Sequence, residues 1–506
     1  MEGSGMMTGR FPHPAYSRHV LEPAYQDAQH YLFEPMLEAH EAHALTLAEC
    51  GIIPAENAVA ILRAVATIRA EGVDAYAYQP GVEDLFFRIE ARVMALAGVD
   101  YGGNLQLARS RNDLGHALAR MAIRLRLLEL GERLLTLRAA VQTRAKEHLN
   151  TLMPGYTHTQ PAQPTTFAHY LAGVLTFLSK GHQALLEAYR ETNCSPLGAA
   201  ALTGTGFPFD RRRVAELLGF DKIVVSTQHA IGGSDYLTDT AFVVQTLAVN
   251  LGRMTHDLLI RALQEVNALH VDDSFVQISS IMPQKRNPVV LEHLRARLSR
   301  ALGYAQTVVV QCHNIPYGDT QDIEDEILPP LFHALDALQE AVELYTAFFE
   351  TLTLNVEHLQ RRAGEGFTTA TELADTLVRE AGLSFRSAHQ VVATLVQDAV
   401  KAGLGTSQLT LAMLQQAAQK VLGHPLPLNE TQFRQALNPL HFIHLRNGPG
   451  GVAPAATKAV LDELEQFRMH DLETMAALRQ QLMDAQMQRQ QAAATLAASI
   501  AVALEG

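Results

Sequence analysis

Between positions 279 and 288 the chain reads Ser279-Ser280-Ile281-Met282-Pro283-Gln284-Lys285-Arg286-Asn287-Pro288, a short loop holding two hydroxyls, an amide and two adjacent cations. Such groups suit the removal of a proton from the carbon beside a carboxylate. That step creates a dianionic, enolate-like species, which is tolerable only among preorganised donors and a cation. Lys285 and Asn287 supply them. Asn287 followed by Pro288 reads as a helix N-cap and a proline at the first helical position, which sets the loop at the positive end of the next helix and favours a negatively charged serine. Upstream, Ser110, Arg111 and Asn112 flank a planar guanidinium with hydrogen-bonding side chains, a set suited to a bidentate grip on a carboxylate. Asp113 behind them reads as part of a helix start. His158 follows Thr157 in a proline-bounded turn, with Gln160 as a further donor.

Three segments together resemble the fumarase/aspartase superfamily, whose members eliminate fumarate from substituted succinates. They are the Ser279 loop, Leu107-Ala108-Arg109-Ser110-Arg111-Asn112-Asp113, and the run from Met153-Pro154-Gly155 through Gln160 to Pro164. The last two resemble the argininosuccinate lyase branch in particular, as do 367–389 and Gly450-Gly451-Val452-Ala453-Pro454, so the resemblance extends from about Tyr31 to Pro454. It implies an all-α, three-domain fumarase/aspartase-like fold with a central long-helix bundle. It further implies a homotetramer with a core of about twenty helices and active sites drawn from several subunits. The chemistry it implies is that of a carbon–nitrogen lyase working by β-elimination through an aci-carboxylate, with no cofactor and no metal.

On this resemblance Ser279 is the base, activated by Lys285, backbone donors and the helix field. Lys285 and Asn287 steady the aci-carboxylate. His158 pairs with Glu292, which fixes the imidazole tautomer and raises its pKa. Ser110, Arg111, Asn112, Thr157, Gln160, Ser280, Met282, Asn287, Tyr317 and Gln321 are expected to hold the substrate. Of the Lys285-Arg286 pair the family pattern favours Lys285 as the inward group, and Arg109 is expected to brace its loop.

The chain also departs from the branch. The usual Y-N-x-D-L-Q-E-D-K becomes Tyr317-Gly318-Asp319-Thr320-Gln321-Asp322-Ile323-Glu324-Asp325-Glu326, without the closing lysine. The E-D-x-H element becomes Glu83-Asp84-Leu85-Phe86, Leu114 replaces a glutamine, and the leading W-G-G-R-F segment is absent. The fumarate-holding groups survive while those near an arginine portion change. An acidic loop of Asp319, Asp322, Glu324 and Asp325 could draw an amine-bearing leaving group. Another N-substituted aspartate is therefore the leading expectation, for example an aminopolycarboxylate such as ethylenediamine-disuccinate. Argininosuccinate is the alternative substrate, and a catalytically silent relative like the lens crystallins is the alternative role.

These groups must be positioned by helices. Helical periodicity predicts long elements over 114–149, 166–192, 236–267, 288–312 and 327–354, with Leu118, Met121, Leu125 and Leu128 marking a seam of the first. Domains are expected at 1–113, 114–366 and 367–506. The trailing domain reads as short helices, and residues 1–19 as a flexible leader without a secretory core. At 506 residues, 48% apolar and 18% charged, the chain can bury a large core and offer subunit interfaces. A net charge of −13 argues against a nucleic-acid surface. Cys50, Cys194 and Cys312 lack disulfide or zinc spacing, which fits a reducing cytoplasm. The run 492–504 is too short to span a bilayer. His40 and His43 are spaced HxxH rather than HExxH and read as a solvated helix face, Gly204-Thr205-Gly206 lacks a dinucleotide context, and the turn after Ala381 reads as packing rather than DNA binding.

Overall fold

The computed structural model describes the backbone of residues 11–505 and the side chains of 11–500 apart from Glu324. Residues 1–10 of the expected leader, and the Glu324 carboxylate, lie outside the described residues. The second half of that leader is helix: Pro14–Tyr16 and a π-helical turn, Ser17–Leu21, run directly into α1 (Glu22–Glu49). Leu21 and Tyr25 are buried there and anchor it. Helices α2 (Ala55–Glu71) and α3 (Leu85–Ala97) complete a small leading layer.

The core is a bundle of long antiparallel helices. First comes α4 (Arg111–Glu147), then a β-hairpin of β1 (Leu152–Thr157) and β2 (Gln160–Thr166), which returns the chain in α5 (Phe167–Thr192). The short α6 (Thr227–Gly232) precedes α7 (Asp235–Ala262); a two-residue ladder of β3 (Gln277–Ile278) and β4 (Arg286–Asn287) precedes α8 (Val289–Cys312); and α9 (Leu328–Thr351) closes the set. All five long helices stand where periodicity placed them. Their starts are locally encoded. Ser110 caps α4 while Asp113 receives the Ser110 N–H at 2.8 Å, and Thr166 caps α5 by accepting the His169 N–H at 3.1 Å.

Leu118, Met121 and Leu128 are buried in the α4 seam, but Leu125 is 38% exposed and belongs to an outward face. That same helix buries three arginines. Arg120 donates to the Glu191 carbonyl at 2.7 Å and Arg124 to the Asn193 side chain at 2.8 Å, both neutral acceptors, while Arg138 pairs with Asp471 at 2.5 Å and is the one met by an opposite charge.

Beyond the bundle, α10 (Ala370–Ala381) and α11 (Phe385–Lys401) pack with shorter helices around their own apolar cluster. The last stretch corrects the expectation of short helices: α12 (Pro454–Glu505) is a single helix of 52 residues. It lies back along the bundle. Met475 fills the space left by Gly131 on α4, where an added Cβ would stand 2.7 Å from its methyl carbon, and Arg489 reaches Glu38 and Glu41 on α1. Leu461 and Met475 sink into the bundle core, with Leu464, Leu478 and Leu482 packed beside them. Among the described residues no helix is long and apolar enough to cross a membrane.

Candidate active site

Alternation of direction sorts the candidate residues to two ends of the bundle. Arg126 of α4 pairs with Asp336 of α9, and Arg144 donates to the Phe349 carbonyl at 2.6 Å, so those helices run parallel, with α5 and α8 opposed to them. Ser110, Arg111, Asn112, Tyr317 and Gln321 therefore sit at one end. Thr157, His158, Gln160, the Ser279 loop and Glu292 sit at the other.

At the second end, β3 and β4 pinch the catalytic-type loop into a closed turn. The Ser279 hydroxyl oxygen accepts the backbone N–H of Ile281 at 3.3 Å and of Met282 at 3.0 Å. The Lys285 N–H closes the turn on the Met282 carbonyl at 3.0 Å, leaving its ammonium exposed. Arg286 turns away, donating to the Val271 carbonyl at 3.3 Å and pairing with Asp273, so Lys285 is the cation left to the loop face. Asn287 is not the N-cap that its sequence suggests. It belongs to β4 and donates to the Gln277 carbonyl at 2.9 Å, while Pro288 takes the cap position without a side-chain bond. The strand pairing competes with the cap and wins. Ser280, Ile281 and Met282 are all exposed, Ile281 to 83%.

Thr157 pairs with Gln160 across a two-residue turn whose members, His158 and Thr159, have φ of 53° and 62°. This is the backbone that primed hairpin turns demand and that Asn-Gly normally supplies. Placing a histidine and a β-branched threonine there stores strain, a common mark of a functional site. His158 and Glu292 are both exposed, and within one protomer no bond joins them among the described residues.

At the first end Arg111 donates to Glu83 at 3.0 Å and Asp84 at 2.8 Å, the two acids kept from the family's E-D-x-H element, whose histidine is Phe86 here. Ser110 and Asn112 bond each other, the serine hydroxyl donating to the amide oxygen at 2.9 Å. Arg109 is a brace, buried and bonded to Gln106 at 2.7 Å and His40 at 3.2 Å; burial lowers its pKa to about 10. Asp113 is structural, accepting the backbone N–H of Gly198 and Ala200 at 2.8 and 2.9 Å. Burial pushes its carboxyl up to about 6 against those bonds. His40 and His43 correct the expectation of a solvated face: both are 0% exposed, and burial beside Arg109 holds them well below the usual imidazole value.

Beside Arg111 lies a small cavity of about 90 Å³, lined by Met36, Leu85, Phe86 and Leu114 with Asp84 and Asp325. A π-helical turn, Asp322–Glu326, occupies the place of the lysine-bearing loop. Burial, then the nearby Asp84, pushes Asp325 up to about 6 against the pull of Arg111. Asp319 is likewise raised by burial and feels Arg111. Sequence reasoning missed His229, which reaches Tyr317, and Asp235, which reaches His229. They belong to no motif spacing, and only the Gly232-Gly233 break before α7 hints at a tight approach.

Residues 19–303 match the family described as Lyase, and residues 367–444 the family described as Argininosuccinate lyase C-terminal. The chain belongs to the argininosuccinate lyase branch of the fumarase/aspartase superfamily. This lyase is 35% identical to argininosuccinate lyase 2 of Agrobacterium fabrum over 448 residues, 88% of this chain and 89% of that protein. It is 36% identical to argininosuccinate lyase of Methanosarcina barkeri over 440 residues, 86% and 88% of the two chains. Among solved structures, EDDS lyase in complex with formate superposes with a TM-score of 0.86 at 31% identity, covering 96% of each chain. An EDDS lyase variant with bound fumarate gives 0.85 at 31%, covering 96% and 98%. Class II fumarase from Schistosoma mansoni, 18% identical with a TM-score of 0.68 over 84% of this chain and 91% of its own, shares the fold. The lyase is a carbon–nitrogen lyase that releases fumarate.

Proposed function

We propose that the lyase cleaves an N-substituted aspartate whose leaving group is a cationic amine, an aminopolycarboxylate such as ethylenediamine-disuccinate. Ser279 takes the Cβ proton. The observation that carries this role is its hydroxyl oxygen, which accepts two backbone N–H groups, so an alkoxide formed there keeps both donors with the Lys285 ammonium on the same loop. Lys285 and Asn287 meet the aci-carboxylate, and Ser110, Arg111, Asn112, Thr157, Gln160, Ser280 and Met282 hold the succinyl half. His158, steadied by Glu292, orients it. The amine reading rests on the carboxylates Asp84, Asp319 and Asp325 gathered around Arg111 where the branch would carry a lysine. The likeness to EDDS lyases supports it. Argininosuccinate is the second reading, favoured by the argininosuccinate lyase relatives and the matching C-terminal family.

A site holding both Arg111 and Ser279 must be shared between copies, because α4, at 37 residues, holds the two ends about 55 Å apart. A homotetramer with its long helices joined in one core supplies such sites. The uncovered Ile281 at 83% and the pair Phe242 and Val249, 49% and 48% exposed and two turns apart on α7, fit surfaces awaiting another copy. A reducing cytoplasm fits the three free thiols, Cys50, Cys194 and Cys312.

Ultraviolet-detected fumarate release from a panel of N-succinyl amines and argininosuccinate tests the substrate, and Ser279→Ala tests the base. Turnover should be abolished in the variant while the assembly stays folded. A preference of the native enzyme for argininosuccinate refutes the amine reading, and unchanged turnover in the variant refutes the base.

A further inference from the structure

At the Arg111 end, Tyr317 is built into a chain of three groups. Its hydroxyl lies 2.6 Å from Nδ1 of His229, and Nε2 of His229 lies 3.1 Å from the Asp235 carboxylate. The surroundings are shaped for this contact. The His229 N–H is capped by the Ser226 hydroxyl at 3.2 Å, and Gln228 donates to the Tyr317 carbonyl at 2.9 Å. Any side chain at Gly233 would start 2.6 Å from the His229 ring, and one at Gly232 would start 2.9 Å from the Tyr317 backbone. Two successive glycines thus make room for the ring and for the loop that carries the phenol. Asp235 holds a proton on Nε2, which leaves Nδ1 to accept from the Tyr317 hydroxyl and frees a phenolic lone pair for a third partner. Tyr317 opens the acidic loop of Asp319 and Asp325, on which the cationic-amine reading rests, so on that reading the third partner comes from the substrate half that departs.

We infer that Tyr317, His229 and Asp235 form a proton relay for the amine nitrogen of the leaving group. The inference rests on the proposed N-substituted aspartate reaction. In the addition direction an alkylammonium must lose a proton before its nitrogen can attack fumarate. One ammonium N–H bond breaks as a proton passes to the phenolic oxygen, while the Tyr317 O–H proton passes to Nδ1 of His229. The positive charge moves from ammonium to imidazolium, beside Asp235. Elimination runs this backwards: the imidazolium returns its proton through Tyr317 to the departing neutral amine, which leaves as an ammonium. The partly open side chains of His229 and Asp235, 40% and 65% exposed, let the relay exchange with solvent.

The test is amine addition to fumarate at neutral pH by the whole enzyme, comparing a strongly basic alkylamine, ionised in solution, with a weakly basic alkoxyamine that is already neutral. In His229→Asn the rate with the alkylamine should fall about 100-fold, as loss of an acid–base group does. The alkoxyamine rate should stay within about three-fold. Tyr317→Phe, at a residue also expected to hold substrate, should slow both amines but the alkylamine at least about ten-fold more than the alkoxyamine. Equal losses with both amines in both variants overturn the relay and reduce the triad to a structural support. Such a result leaves Ser279 and the elimination intact, because their failure is read separately from Ser279→Ala.

Discussion

Mixing two inactive variants should restore activity, and the size of the recovery follows from the bundle. Arg111→Gln damages the first end of α4, and Ser279→Ala removes the proposed base at the other. Since α4 spans 37 residues, no single chain can bring its own Arg111 to its own Ser279. In the proposed homotetramer, assembled from an equal mixture by coexpression or by dissociation and reassociation, each site then takes its two contributions from different chains. A site works when its Arg111 donor is intact and its Ser279 donor is intact. With random assembly each condition holds for half of the chains, so about a quarter of native fumarate release is expected. Differently tagged variants, purified through both tags, remove the pure assemblies and enrich the effect. Confirmed mixed assemblies with no more activity than either parent would place the complete site within one chain and refute the shared-site argument.

Two further outcomes bear on the hairpin and on the buried histidines. Thr159→Gly should stabilise the fold by about 0.5–1 kcal/mol per chain, since a left-handed L-residue costs about 1–2 kcal/mol and glycine gives back part of that in unfolded-state entropy. A higher melting temperature with a lower kcat is expected, and a lower melting temperature argues against strain at the tip. Folding should also weaken in acid. Burial holds His40, His43, His116 (about 3) and His182 (about 4) below their unfolded value near 6.5. The unfolded chain therefore binds more protons as pH falls through that value, costing about 1.4 kcal/mol per imidazole per pH unit. Asp113 and Asp325, raised to about 6, act in the opposite sense between there and their lower unfolded values and offset part of the loss. Urea midpoints that stay flat between pH 7 and pH 5 would falsify the neutral, buried assignment.

What was legible in the sequence was what is local in the chain. The five bundle helices carry their own periodicity and caps, and Ser110 with Asp113 encodes its helix start within four residues. Only the family pattern favoured Lys285 over Arg286 in the sequence; the physical reason lies behind the loop, where Asp273 and the Val271 carbonyl hold the arginine. Asn287 followed by Pro288 looked like a cap because the competing partner, Gln277, is ten residues away across a ladder too short to show alternation. The helix from Pro454 onward was read as shorter pieces although Leu461, Leu464, Met475, Leu478 and Leu482 recur at helical spacing; it is further tied down by Arg138 with Asp471 and by Arg489 with Glu38 and Glu41, pairs separated by hundreds of residues.

The same distinction explains which parts of the candidate site look unfinished. Groups that work within one chain are fully partnered: Asp113 on three backbone donors, Arg109 on Gln106 and His40, Arg286 on Asp273. Three of the groups expected around the succinyl carbons are not. Lys285, His158 and Glu292 stand exposed, and the turn that presents His158 is strained. A lone protomer gains nothing from an exposed Ile281 or a left-handed Thr159, since each costs stability that a polar residue or a glycine would save. Both become useful once another copy closes over the loop: the isoleucine then buries apolar area, and the tip histidine is held where a flexible turn would let it wander. The cost borne by each chain is therefore best understood as belonging to the assembled site, and it is the Thr159→Gly pairing of gained stability with lost turnover that would expose it.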